Sequence, residues 1–319
     1  MNLVLLAAMS AAAGGALWVA SHGGAAGLVA GAVGFSFVNH GLFALLHEAV
    51  HGGLHPDPRV NRWAGRFAAA WFPTGFALQR ALHLNHHHNN RGPFEQFDVL
   101  RPTDVRWLKL AQWYAILTGV YWLFAPALAL VFALAPGVLR SSVLRRGGLA
   151  DQTSASAFLG ALDGLGPVAR LEAAGALAFH VGLYVALDAD PLGWAACWGA
   201  FALNWSSLQY ADHAYSPLDR DTGAWDLRTP TWVRWVLLNY PLHRAHHLHP
   251  SAPWTALPGL VEPGVERPSW LGMVGRMWLH PPSSTTRHWA PSGSDTSSSP
   301  TDRDGSSGSN TGTRTVGAE

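Results

Sequence analysis

The chain of 319 residues is 49% hydrophobic but only 13% charged, where an ordinary soluble domain carries about 25% charged residues. With 21 Lys and Arg against 20 Asp and Glu the net charge is +1, which excludes the basic footprint of a nucleic-acid-binding protein. A single cysteine, Cys197, excludes a disulfide framework and a Cys-rich metal site, while 17 histidines nearly match the acidic residues in number.

Taken in chain order, apolar runs occupy 3–20, 24–46, 111–135, 168–187 and 192–209. Each is near the ~20 residues that a helix needs to cross a hydrocarbon core. The first lacks a basic leading region and the second follows within three residues, so a helical hairpin is expected rather than a cleaved signal. The mean hydropathy of +0.09 is low only because polar stretches dilute these runs. The turns at 21–23 and 188–191 hold no Lys or Arg. By the positive-inside rule they face outward, which leaves 47–110, 136–167, 210–319 and both termini cytoplasmic.

The run 111–135 has Arg101, Arg106 and Lys109 before it and Arg140, Arg145 and Arg146 after it. Both its ends are then inside, which predicts a re-entrant or interfacial hairpin broken near Pro126, with four full spans around it; a fifth simple span is the alternative. Trp107, Trp113, Trp194, Trp205, Trp232 and Trp235 lie near run ends, as interfacial belts require. From 283 onward Ser, Thr, Gly, Pro and Asp dominate, and such a segment cannot offset its ordering entropy by burial. The expected organisation is a membrane domain over 1–282 and a disordered cytoplasmic tail over 283–319.

The histidines fall into clusters at one side of these runs. HEAVH puts His47 and His51 four residues apart, on one helix face. HLNHHH gives His83, His86 and His87 the spacing i, i+3, i+4, and HRAHH repeats it with His243, His246 and His247. QYADH places Gln209 and His213 four apart after the last run. Nine imidazoles exceed what one metal uses, so two metals are implied. Imidazole suits iron, copper, zinc and nickel alike. A neutral histidine shell also calls for carboxylates close by, with Glu48, Asp98 and Asp212 as candidates.

HEAVH, HLNHHHNN and NYPLHRAHHLHPSAPW resemble the three histidine boxes of the membrane fatty acid desaturase superfamily, which also includes lipid hydroxylases and carotenoid ketolases. The resemblance covers about positions 30–260. It implies an all-α fold of polytopic membrane helices with a cytoplasmic helical cap, which holds two iron ions and uses dioxygen as co-substrate. By motif, His47, His51, His83, His86, His87, His213, His243, His246 and His247 are the implied iron ligands. Gln209 stands where an amide reaches iron through water, and Asp212 and Glu48 stand close behind the ligands. No catalytic residue apart from the metal site is implied.

Several features depart from the pattern. No His-Pro-Gly-Gly occurs, so electrons are expected from a separate ferredoxin, rubredoxin or cytochrome-like donor. His40, His55, His88 and His249 are extra, and His180 inside a predicted span needs a partner. The expected reaction is desaturation of a C–C bond in a fatty acyl or lipid-like substrate, with hydroxylation or ketolation of a lipid or isoprenoid as the alternative. A rival reading takes HEAVH as HExxH and Leu162-Asp163-Gly164 as the carboxylate motif of an intramembrane metalloprotease. It leaves both HxxHH clusters without a role.

Overall fold

The computed structural model describes residues 1–145 and 155–283. The expected tail beyond 283 and Arg146 lie outside the described residues. Among these the elements are helical, with two isolated bridges, Asp226 with Leu242 and Arg228 with Ser269.

Helices α1 (Asn2–His22) and α2 (Gly24–Val50) form the predicted hairpin, turned by Gly23 and Gly24. They pack closely because small residues line the seam: a methyl group on Gly31 would stand 2.5 Å from the Ala16 carbonyl oxygen. Two helices of 14 residues each follow, α3 (Pro58–Trp71) and α4 (Phe76–Asn89). Asp57 caps α3 through the amides of Arg59 and Val60. After α5 (Arg106–Leu117) come a 3₁₀ turn (Val120–Leu123) and α6 (Phe124–Leu134). The short helices α7 (Pro136–Leu139), α8 (Ser142–Arg145) and α9 (Ala155–Gly160) lead to α10 (Pro167–Ala186) and α11 (Pro191–Ala211). Four short helices close the described chain: α12 (Thr231–Val236), α13 (His243–Leu248), α14 (Leu257–Leu260) and α15 (Trp270–Leu279).

By length and composition α1, α2 and α10 can each cross a membrane. Helix α11 is as long as α1 at 21 residues but is less apolar, since Asn204, Ser206, Ser207 and Gln209 sit in its second half. The segment 106–134 is a bent pair with an angle of 88°, and its break is not at the expected Pro126. The break is at Thr118 and Gly119. Pro126 is the third residue of α6, where an amide has no intrahelical acceptor, so proline is tolerated. Gly119 is left-handed, with φ +76°, and packs so tightly on α11 that a Cβ would lie 2.7 Å from backbone atoms of Ala202 and Leu203.

The tryptophans divide. Trp107, Trp232 and Trp235 are exposed as a membrane-facing belt requires, but Trp113 is fully buried and donates its indole N–H to the Met277 carbonyl. Trp194 and Trp205 are half-buried among other rings. Proximity to the end of an apolar run does not report which face of the helix a ring occupies.

Candidate metal centre

Each histidine cluster is held by contacts that lie outside it. The last turn of α2, with His47 and His51, is secured by Asn61 of α3. Its amide donates to the Ala49 carbonyl at 2.8 Å and its oxygen accepts the Leu54 amide at 3.1 Å. The start of α4 is capped by Glu172 of α10, which accepts the Ala77 amide at 2.8 Å while pairing with Arg66 at 2.6 Å. The first turn of α13 is held by Asp226, which accepts the Ala245 amide at 3.0 Å, and Arg244 pairs with Glu262. The loop after α4 is pinned by a buried bidentate pair, Arg91 to Asp98 at 2.9 and 3.0 Å, and Asp98 also accepts the Tyr215 amide at 2.6 Å. That pair ties the loop after α4 to the segment carrying His213.

On this frame the nine predicted histidines converge into two groups. One contains His47, His51, His83, His87 and His246; the other contains His86, His213, His243 and His247. Within each group one ring nitrogen from every residue lies within 4.8 Å of all the others. In the first, Nε2 of His83 is 2.9 Å from that of His51 and 3.0 Å from that of His87, which is 3.0 Å from that of His246. In the second, the Nε2 atoms of His243 and His247 are 3.2 Å apart. Two nitrogens bound at right angles on one ion at ~2.1 Å would stand ~3.0 Å apart, so these sets have the spacing of ligands around an ion. Nε2 of His47, His86 and His213 is buried with no hydrogen-bond partner. The donor set therefore fits two metal ions.

The far sides of two rings show how the free nitrogens are aimed. Glu95 Oε2 accepts from His86 Nδ1 at 2.7 Å, and the Gly223 carbonyl accepts from His213 Nδ1 at 2.8 Å. A carbonyl or carboxylate can only accept, so Nδ1 carries the proton and Nε2 keeps its lone pair. Burial, followed by mutual repulsion among the rings, pushes His83, His213, His243, His246 and His247 well below the ordinary imidazole value. His51 falls to about 4 and His87 to about 2, burial again leading. The lowering favours the neutral form of these seven rings, the form that binds metal.

The remaining candidates are placed as follows. Gln209 offers its amide oxygen to the Tyr240 hydroxyl at 2.7 Å, and the Tyr240 ring centre is 5.1 Å from that of His47 and 5.0 Å from that of His243. Glu48 accepts the Trp254 amide at 3.3 Å. Asp98 is engaged by Arg91 and belongs to the scaffold. Asp212 is fully buried, and neither of its carboxylate oxygens has a hydrogen-bond partner. Burial raises its carboxyl well above the usual carboxylate range, a shift that a neighbouring cation would reverse. His55, His88 and His249 fall outside both groups. His40 is fully buried among the rings of Phe43, Phe201 and Tyr240, and His180 lies against Trp198. Asp163, of the Leu-Asp-Gly triplet, is half-exposed and paired with Arg145 at 2.7 Å, apart from the histidines. Two residues beside the rings escape any spacing rule, Glu95 and Tyr240.

The fold is helical, with helices long and apolar enough to cross a membrane, and it brings together two groups of convergent imidazoles that could each hold a metal ion. Residues 17–263 match the profile of the fatty acid desaturase family, and the chain belongs to that family. A stretch of 117 residues is 30% identical to a beta-carotene ketolase of Paracoccus sp. (strain N81106 / MBIC 01143). The match takes in 34% of this chain and 45% of the ketolase, so it spans less than half of that relative.

Proposed function

We propose that the protein is a di-iron, oxygen-dependent oxidoreductase that desaturates a C–C bond in a fatty acyl or lipid-like substrate. The observation that carries the reading is the convergence of nine imidazoles into two adjacent groups. His47, His51, His83, His87 and His246 would hold one iron, and His86, His213, His243 and His247 the other. When bound, the irons supply the capacity to reduce dioxygen at the expense of an unactivated C–H bond.

The chain's own residues do the rest. Glu95 and the Gly223 carbonyl keep the protons of His86 and His213 on Nδ1. Tyr240 donates to Gln209 and stands between His47 and His243. A cavity of about 10 Å³ reaches the rings, lined by Ala44, His47, Glu48, Leu238, Tyr240, His243, His246 and Leu257. It is large enough for one water-sized molecule. Its aliphatic members limit the water that competes for the oxidising equivalents. Removal of two hydrogens by one dioxygen forms two waters only if two electrons and two protons are added, so a ferredoxin, rubredoxin or cytochrome-like donor is needed. The charge bias of the loops supports a cytoplasmic site for that encounter.

The likeness to a beta-carotene ketolase favours a second reading, oxygen insertion into an isoprenoid at the same centre. Mass spectrometry of lipids and isoprenoids from a host expressing the chain separates the two: loss of two hydrogens is the desaturation product, gain of oxygen the alternative. Metal analysis should give two irons per chain. One zinc, with proteolysis lost in Glu48→Ala, would overturn both readings.

A further inference from the structure

The cavity beside Tyr240 touches both imidazole groups, since His47 and His246 of the first and His243 of the second line it. A molecule that meets both groups from that side meets them there. At about 10 Å³ the cavity holds one water-sized group, so no more than a single carbon of a chain fits unless a wall yields. Most of its walls are fixed. The histidines are held within their groups, Tyr240 is tied to Gln209 at 2.7 Å, and Glu48 accepts the Trp254 amide at 3.3 Å. Ala44 has no bulk to withdraw, which leaves Leu238 and Leu257.

These two leucines face different parts of the molecule. Leu257 packs with Leu242 and Ala245 at the start of α13. Leu238 joins the core shared with α1, α2 and α11, and it follows α12, whose Trp232 and Trp235 are exposed. An apolar chain arriving from the bilayer therefore meets Leu238 first. The backbone at this point is left-handed at two successive residues, Leu238 with φ +50° and Asn239 with φ +57°. Asparagine tolerates that region, whereas a leucine is strained in it. Bonds around the turn hold it there: the Asn239 amide donates to the Arg234 carbonyl at 2.7 Å, and the Asn239 side chain donates to the Trp254 carbonyl at 3.0 Å. Glycine would take the same backbone without strain, so what the leucine adds is its side chain against the cavity. We infer that Leu238 is a specificity-determining residue: its side chain closes the membrane side of the cavity and sets which carbon of an apolar chain stands against both groups. The inference deepens the fatty acyl reading above and rests on it.

The test uses the full chain in phosphatidylcholine nanodiscs and a set of stearic acids that carry a diazirine at successive carbons. After illumination, peptide mass spectrometry reads which carbon has inserted into which stretch of the chain. In the unaltered protein one carbon should label residues 239–247 most strongly, and excess stearate should suppress the label. Leu238→Ala should raise that label by about tenfold and move the preferred carbon along the chain, while Leu238→Phe should lower it by a similar factor. Leu238→Gly, which suits the left-handed backbone, takes the place of the alanine variant should that one fail to fold. Helix content should be the same in all. The same carbon labelled to the same extent in every variant, or no label on 239–247 in the unaltered protein, would overturn the inference. Fe(II) binding to the same unaltered preparation keeps the reading beneath it separate: two equivalents bound sustain that reading whatever Leu238 does, and fewer would overturn it.

Discussion

Glu95 Oε2 accepts a hydrogen bond from His86 Nδ1 at 2.7 Å, and both side chains are largely buried. Two consequences follow from one contact: the proton on His86 is fixed to the outer nitrogen, and the ring plane is held with Nε2 toward His213 and His247. Glu95→Ala should weaken metal binding at the second group by about 10- to 100-fold. Glu95→Gln, which keeps an acceptor oxygen, should lose less. Metal retained after dialysis against a weak chelator reads the difference, and equal retention in Glu95→Ala would remove Glu95 from this role.

His246 and His247 are neighbours in sequence but belong to different groups. His246→Ala should lower affinity for one equivalent of iron and His247→Ala for the other, so the double variant should lose both. Loss of the same equivalent in both single variants would contradict the partition. Turnover should fall to background in each, with the protein still in the membrane fraction.

The pH dependence of the metal-free protein follows from His51, at about 4, and His87, at about 2. In the unfolded chain both titrate near ~6.5. Between these values the unfolded state binds more protons than the folded one, so stability rises with pH. It is fully present above ~6.5 and is lost as pH falls through the folded values, starting with His51. Denaturant midpoints of chelated protein should drop between pH 7 and pH 5; a flat profile would contradict neutral burial of the rings.

Asp98→Ala should destabilise the fold by about 3–5 kcal/mol, because it leaves the Arg91 guanidinium buried without its carboxylate. The Tyr215 amide loses its acceptor as well. Unfolding in detergent measures this, and a loss below ~1 kcal/mol would mean that the loop repacks around Arg91.

Gly119→Val should cost about 1–3 kcal/mol from its left-handed backbone alone. Contact of the new side chain with Ala202 and Leu203 adds to this. Pro126→Ala should be nearly neutral, since α6 asks for no hydrogen bond from that position. Comparable losses at the two sites, read from thermal midpoints, would place the bend elsewhere.

The parts of this molecule governed by local periodicity were legible in its sequence. Apolar runs near twenty residues gave α1, α2, α10 and α11, and the i, i+4 spacing of His47 and His51 gave one face of one helix. The nine histidines that the spacing singled out are the nine that converge. Their partition was not legible, because it depends on how α4 and α13 are rotated against α2, and rotation is set by tertiary contacts such as Glu172 with the Ala77 amide. Glu95 could not be found by spacing either: it lies nine residues beyond His86 and returns through a loop that the Arg91 and Asp98 pair folds. The bend does not fall at Pro126 because proline, disruptive inside a helix, is harmless in the first turn where it stands.

His86 and His87 are successive residues of α4, as His246 and His247 are of α13, and each pair sends one ring to each group. The ring centres stand 5.8 Å apart in the first pair and 5.9 Å in the second. The distance between the two centres is thus set by a ruler of covalent bonds, since consecutive Cα atoms are ~3.8 Å apart whatever the surrounding helices do. A bundle loosened by heat or detergent can carry His47 or His213 away at the edges while the gap between the centres keeps its length.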